Sequence, residues 1–233
     1  MSKNKNPPCI AIIPARSGSR RIKNKNIKFF FGHPMISYAI KNAIKSNLFD
    51  KIIVSTNDNR IKKISNRFGA STPFVRPKKL ATNKTSILKV MCHAVKKEAI
   101  KDNSFFAVCC IFPTSPLIKP KDLKKSFKLF KTRKRDYIFA AKKCNNYQKV
   151  RFKINSNFNI KKVFLKKSKI NKSDPQSFYD DAGQFYWAKP STWLKRKKIF
   201  SNKSTVYVFS NTKIVDINTK NDWEKAKRIF KKK

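Results

Sequence analysis

The sequence predicts an α/β fold: a mostly parallel sheet with helices on both faces. Three observations carry that expectation. Short apolar runs suited to strands alternate with amphipathic stretches of helix length. The central run, "FFAVCCIF", is apolar throughout, which suits a strand covered on both sides. Polar segments follow the runs, where an open parallel sheet gathers its ligand-binding loops.

The elements read in order. Ile10 to Ile13 is a continuous apolar run, long enough for a buried strand and too short for a helix. The basic loop "ARSGSRRIKNKN" follows it. Pro34 then opens a helix with Ile36, Ile40 and Ala43/Ile44 on one face. "KIIVST" is a second strand. "DNRIKKISNRFGA" is a helix carrying Ile61, Ile64 and Phe68, closed by Gly69 where left-handed geometry is favoured. "TSILKVMCHAVKKEAI" places Ile87, Val90, Met91, Ala94 and Val95 on one helical side. "FFAVCCIF" is the third strand, "PKDLKKSFKLFK" a helix and "YIFAA" the fourth strand. From 142 to about 181 the pattern changes to irregular apolar alternation among many cations, with no clear helix. That stretch reads as a β-rich excursion, because Phe152, Ile154, Val163, Phe164 and Leu165 need burial. "GQFYWAK" and "VYVFS" restore strands, and a last helix carries Trp223, Ala226 and Phe230 on one face.

Composition narrows the function classes. With 57 Lys and Arg against 12 Asp and Glu, the formal net charge is +45. The cations are spread over helices and loops rather than gathered in a tail, and Lys, Asn, Ile and Phe are all abundant. Both facts favour a bias of composition over a dedicated nucleic-acid face, though weak, salt-sensitive binding to polyanions is expected. Five cysteines (Cys9, Cys92, Cys109, Cys110, Cys144) form no CxxC pair, and only two histidines accompany them. Reduced thiols in a cytoplasmic protein are expected, not a disulfide framework or a zinc site. The longest apolar run, Phe105 to Phe112, is too short to cross a bilayer. Pro14 and Arg16 interrupt the N-terminal apolar stretch, so it does not read as a signal peptide.

Four polar segments fall at the expected ligand edge: the basic loop, "STNDN", "PTSPL" and "VDIN". The loop supplies Arg16, Gly18, Ser19, Arg20, Arg21 and Lys25. Small residues let backbone N–H groups approach an anion, and the cations offset its charge. It matches neither a Walker A loop nor GxGxxG. On its residues alone it reads equally as a phosphate cradle or a solvated basic loop. Acids are scarce, so the magnesium candidates are few: Asp216, Asp58, Asp180 and Asp181. Thr219 reads as a helix cap. His33, His93, Tyr186, Trp187 and Trp193 read as structural. Cys109 and Cys110 sit in a buried strand with nothing nearby to make either a nucleophile.

Together "IAIIPARSGSRRIKNKNI", "GHPMISYAIKNAIKSNLFDKIIVSTND", "RFGASTPFVRPKKLA", "CCIFPTSPL", "DDAGQFYWAK" and "VDINTKNDW" resemble the acylneuraminate cytidylyltransferases, in the family's order. "CCIFPTSPL" and "DAGQFYW" are most similar to the members that act on pseudaminic acid; sialic and legionaminic acid are the alternative acceptors. The resemblance implies a Rossmann-like nucleotidyltransferase fold, one domain over 1–233, with 142–181 projecting as a dimerisation segment of a homodimer. It implies transfer of CMP from CTP to the anomeric hydroxyl of a nine-carbon sugar acid, with Mg2+ bridging the phosphates. Arg16, Ser19, Arg20, Lys25 and Asn26 would hold the triphosphate and cytosine. Arg76 and Ser86 would help bind the nucleotide. Thr114, Ser115 and Gln184 would lie near the sugar, and Asp216 with Asn218 would face the metal. Arg16, Lys25 and Asp216 would carry the catalysis.

The chain departs from the family's usual pattern at five positions. Ser17 stands for the first Gly of "RGGSK" and Arg20 for its Lys. Asn218 stands for the second acid of "DIDT". Asn57 and Asn83 stand where acids are common. These losses leave a second reading open, a basic nucleic-acid-binding protein on a nucleotidyltransferase scaffold.

Overall fold

The computed structural model describes residues 7–100, 104–143, 151–155, 160–163, 178–209 and 214–232. Its central sheet runs, in spatial order, β10 (Ser204–Val208), β6 (Tyr137–Lys143), β9 (Tyr179–Ala188), β5 (Ala107–Ile111), β1 (Cys9–Pro14) and β4 (Lys51–Ser55). β1 is parallel to both β4 and β5, and β10 is parallel to β6. β9 runs antiparallel to both its neighbours and joins the two parallel groups. A short hairpin, β2 (Phe29–Phe30) with β3 (His33–Pro34), leads from the basic loop into the first helix.

The strands alternate cleanly between two cores. Cys9, Ala11 and Ile13 of β1, with Ala107, Cys109 and Ile111 of β5, face one cluster. Ile10 and Ile12, with Val108 and Cys110, face the other. Period-two side chains on doubly covered strands give this pattern. The first cluster takes Ile36, Ala39 and Ile40 from α1 (Met35–Ser46), Ile61 from α2 (Asn59–Arg67), Leu123 and Phe127 from α4 (Pro120–Thr132), and Trp223 and Ala226 from α6 (Lys220–Lys231). The second takes Met91, Ala94 and Val95 from α3 (Ile87–Lys97), and Trp193 from α5 (Pro190–Leu194). The α/β class and the helices on both faces are therefore as the sequence predicts.

Gly69 and Thr219 mark helix boundaries as the sequence predicts, whereas Asp58, expected only as a magnesium candidate, proves to be a helix cap. Asp58 caps α2 by accepting from the backbone of Arg60 and Ile61, and Gly69 beyond it has φ +91°. Thr219 and Asp222 form a reciprocal capping box on α6. Cys9, Cys109 and Cys110 are buried free thiols, and burial pushes Cys9 up to about 12, which leaves its sulfur protonated.

The ends of the 142–181 stretch belong to the main sheet: Lys142 of β6 pairs with Asp180 of β9. Within it, β7 (Arg151–Ile154) and β8 (Ile160–Val163) form an antiparallel pair, and β7 touches β9 at Phe152–Tyr179. Phe164, Leu165 and Cys144 lie outside the described residues. Among the described residues no helix is long and apolar enough to cross a membrane.

Candidate active site

Parallel pairing of β1 with β4 and β5 brings their carboxyl ends to one edge, in register at Pro14–Ser55 and Ile12–Cys110. The loops that leave those ends enclose two adjoining cavities. One, of about 250 Å³, is lined by Arg16, Ser19, Lys25 and Asn26 from the basic loop, Arg76, Asn83 and Thr85 from the segment after β4, and Thr114 after β5. The other, of about 390 Å³, is lined by Arg16, Ser19, Arg20, Lys25, Asn83 and Asn218. Four sequence-distant segments thus meet where the topology predicts.

The basic loop is built, not merely solvated. Asn26 is buried and its amide donates to the Arg16 carbonyl at 2.9 Å. Nη1 of Arg16 donates to the carbonyls of Ser17 at 3.2 Å and Gly18 at 3.1 Å, while Nη2 donates to Oδ1 of Asn83. Gly18 has φ +73°, a conformation that glycine adopts without strain. The Lys25 ammonium donates to the carbonyl of Ile217, tying the loop to "VDIN". Burial pushes the Lys25 pKa down and the Asp216 carboxylate pulls it back up.

Arg76 is 2% exposed, and its Nε and Nη2 have no hydrogen-bond partner. Desolvation first, and then the Arg16 charge, lower its pKa to about 10. It still carries its charge at neutral pH, so its two unpartnered donors, buried beside the cavity that the residue lines, favour an anion there.

The acidic side of the site is small. Asp216 is pushed up by burial and held down by Lys25 and by Asn218, whose amide donates to Oδ2 at 2.6 Å. Asp181 accepts from the Tyr186 hydroxyl at 2.5 Å and from the Gly183 N–H at 3.0 Å. Burial raises it to about 6, with the Asp216 charge adding to the rise. No group of three metal-ligating side chains occurs among the described residues. One or two carboxylates backed by an amide oxygen fit magnesium, which takes its remaining ligands from water and substrate phosphates. Asp58 is engaged elsewhere, as a helix cap and in a 2.8 Å ion pair with Arg60.

Ser115 is fully buried and its hydroxyl donates to the Gln184 carbonyl at 3.3 Å. The Gln184 amide donates to the carbonyls of Ala182 and Val215, while its Oε1 is buried without a partner. Ser86 caps α3 between Thr85 and Ile87, both of which line the smaller cavity. Sequence reading missed the linkage between Asp181 and Tyr186, because strand positions five apart point to opposite faces. A register irregularity opposite Phe139 and Ala141, with Gly183 at φ +59°, brings the two together. Only Gly183, a glycine inside the strand, hinted at such a bulge.

A family model described as "Cytidylyltransferase" matches residues 10–233. The chain is 35% identical over 222 residues to a pseudaminic acid cytidylyltransferase of Campylobacter jejuni, covering 95% of this chain and 96% of that protein. It is 29% identical to an N-acylneuraminate cytidylyltransferase of Escherichia coli, over 96% of this chain and 52% of that protein. Among solved structures, a CMP:2-keto-3-deoxy-manno-octonic acid synthetase complexed with CTP superposes with a TM-score of 0.78 at 13% identity. That match covers 97% of this chain and 99% of the other.

Proposed function

This chain belongs to the cytidylyltransferase family and is a nucleotidyltransferase; from that premise we propose that it transfers CMP from CTP to a nonulosonic acid, with pseudaminic acid as the acceptor. The relatives at 34–35% identity, which carry that name, support the choice of sugar. The observation that carries the reading is the buried Arg76 with two unused donors on the wall of a cationic cavity. A guanidinium so placed is costly unless a ligand completes its hydrogen bonds, and a nucleotide supplies acceptors.

In this reading Arg16, Arg20 and Lys25 gather the triphosphate, and the loop amides around Gly18 approach it. The acceptor's anomeric hydroxyl oxygen bonds to the α-phosphorus and gives up its proton to water, the bond from that phosphorus to the bridging oxygen breaks, and pyrophosphate leaves. The fixed cations stabilise the charge that develops on the leaving group, without reorganising during the reaction. Asp216, with Asn218 beside it, would hold Mg2+, which when bound supplies further charge stabilisation to the phosphates. Thr114, Ser115 and Gln184 belong to the acceptor side.

Pyrophosphate release with each of the four nucleoside triphosphates, at fixed pseudaminic acid, tests the nucleotide. CTP is expected to lead; ATP or GTP outperforming it would defeat the assignment. Replacing the sugar by sialic or legionaminic acid tests the acceptor. The homodimer remains part of the proposal, supported by the β7–β8 pair, which joins the sheet at Phe152–Tyr179, where β9 begins. Light scattering at high salt is expected to give twice the chain mass. A cytoplasmic location is likewise proposed, supported by the free thiols at Cys9, Cys92, Cys109 and Cys110.

A further inference from the structure

We propose that Asn57 is a positioning residue for the phosphate-facing loop and that it acts through Ser17. The two side chains interlock: Ser17 N–H donates to Oδ1 of Asn57 at 3.1 Å, and Nδ2 of Asn57 donates back to Oγ of Ser17 at 2.8 Å. The contact continues the β1–β4 ladder beyond its last rung. Pro14 pairs with Ser55, Ala15 N–H donates to the Ser55 carbonyl at 3.0 Å, and the Ser17–Asn57 pair follows. Neither residue lines the two cavities, so neither is a catalytic residue.

Their effect reaches the site through Arg16. The Ser17 and Gly18 carbonyls accept from Nη1 of Arg16, so the orientation of the Ser17 peptide sets where that guanidinium lies. An unfastened Ser17 lets the acceptors of Arg16 swing with the loop. The tether is also neutral: an amide fastens Ser17 without placing a negative charge beside the loop's cations. The pairing is chemically specific. An Asn at 57 brings an N–H pair that needs an acceptor, and the Ser17 hydroxyl provides it. A Gly at 17 would remove that acceptor, whereas an Asp at 57 would have no N–H to satisfy. Ser17 and Asn57 therefore form one reciprocally hydrogen-bonded unit.

The inference rests on the cytidylyltransferase reading, and the test separates the two. CTP binding is measured by calorimetry, without acceptor, for the wild type, Ser17→Ala, Asn57→Ala and the double variant. Melting temperatures and amide exchange at Ser17 are recorded alongside. Each single change is expected to weaken CTP binding about fivefold to tenfold and to speed exchange at Ser17. The double variant is expected to bind no worse than either single one, as coupled partners do. The exchanged pair Ser17→Gly/Asn57→Asp is expected to bind CTP more tightly than Ser17→Gly alone. Wild-type binding with losses that multiply in the double variant, or single variants that bind like wild type, would overturn the inference alone. A wild type that does not bind CTP would overturn the reading beneath it as well.

Discussion

A Cβ placed on Gly183 would lie 2.7 Å from Cγ and 2.9 Å from Oδ1 of Asp216. The bare backbone of β9 is thus the floor on which the Asp216 carboxylate rests. Gly183→Ala meets this contact and a φ of +59° together, so the carboxylate must shift. Activity is expected to fall more than about tenfold, with a stability loss of roughly 1–3 kcal/mol. Gly32→Ala is the control: its φ is +75° but nothing lies within 4 Å, so it should lose stability and keep activity. Steady-state rates and thermal melts of both variants check the contrast.

Asp216 and Asn218 should respond to magnesium in opposite ways. A unit charge about 4 Å from another is worth roughly 4 kcal/mol at an effective dielectric near 20, before solvation is subtracted. Asp216→Asn is therefore expected to come close to abolishing turnover. Asn218→Asp loses the 2.6 Å hydrogen bond to Asp216 and sets two carboxylates side by side. It should melt lower without metal, yet need less magnesium for half-maximal activity. Magnesium titrations of rate and of melting temperature decide both. Near-normal activity in Asp216→Asn would exclude "VDIN" as the metal site.

Removing the Arg76 charge should separate stability from binding. The guanidinium is buried with two unused donors. Replacing a buried charge by an apolar side chain of similar length is often neutral or stabilising. Arg76→Met is expected to melt no lower than wild type while the KM for CTP rises more than about tenfold. A variant that melts lower and binds CTP normally would assign Arg76 to the scaffold.

Asp181 makes stability depend on pH. Its folded pKa of about 6 lies above the ordinary 3.8, so the folded chain holds the proton more tightly than the unfolded one. That contribution is complete below pH 3.8 and is lost as pH rises through about 6. Asp181→Asn, which cannot ionise, should therefore gain melting temperature relative to wild type between pH 4 and 7. Melts across that range give the difference directly; a constant offset would contradict the assignment.

Most of the scaffold could be read from local pattern. The apolar runs at Ile10–Ile13 and in "FFAVCCIF", the Gly69 boundary of α2 and the Thr219 cap each depend on near neighbours in sequence. The five-residue α5 is too short for helical periodicity to show. The direction of β9, and its place between β5 and β6, depend on pairing between distant segments, which local pattern does not encode. For the same reason the loop cations of the site were legible, because they lie together in sequence. The fastening of Ser17 by Asn57 and of Arg16 by Asn83 was not, since each joins residues 40 or 67 positions apart.

The antiparallel course of β9 also bears on how the chain is made. A ribosome delivers β1, β4 and β5 early, and β6 soon after, but the strand that lies between β5 and β6 comes much later. Until then two apolar strand edges face each other with nothing to fill the gap, the condition in which nascent chains recruit chaperones or pair with the wrong neighbour. Synthesis halted before Tyr179 would leave a sheet in two pieces, and the carboxylate of Asp181 would be missing from the edge to which β9 brings it.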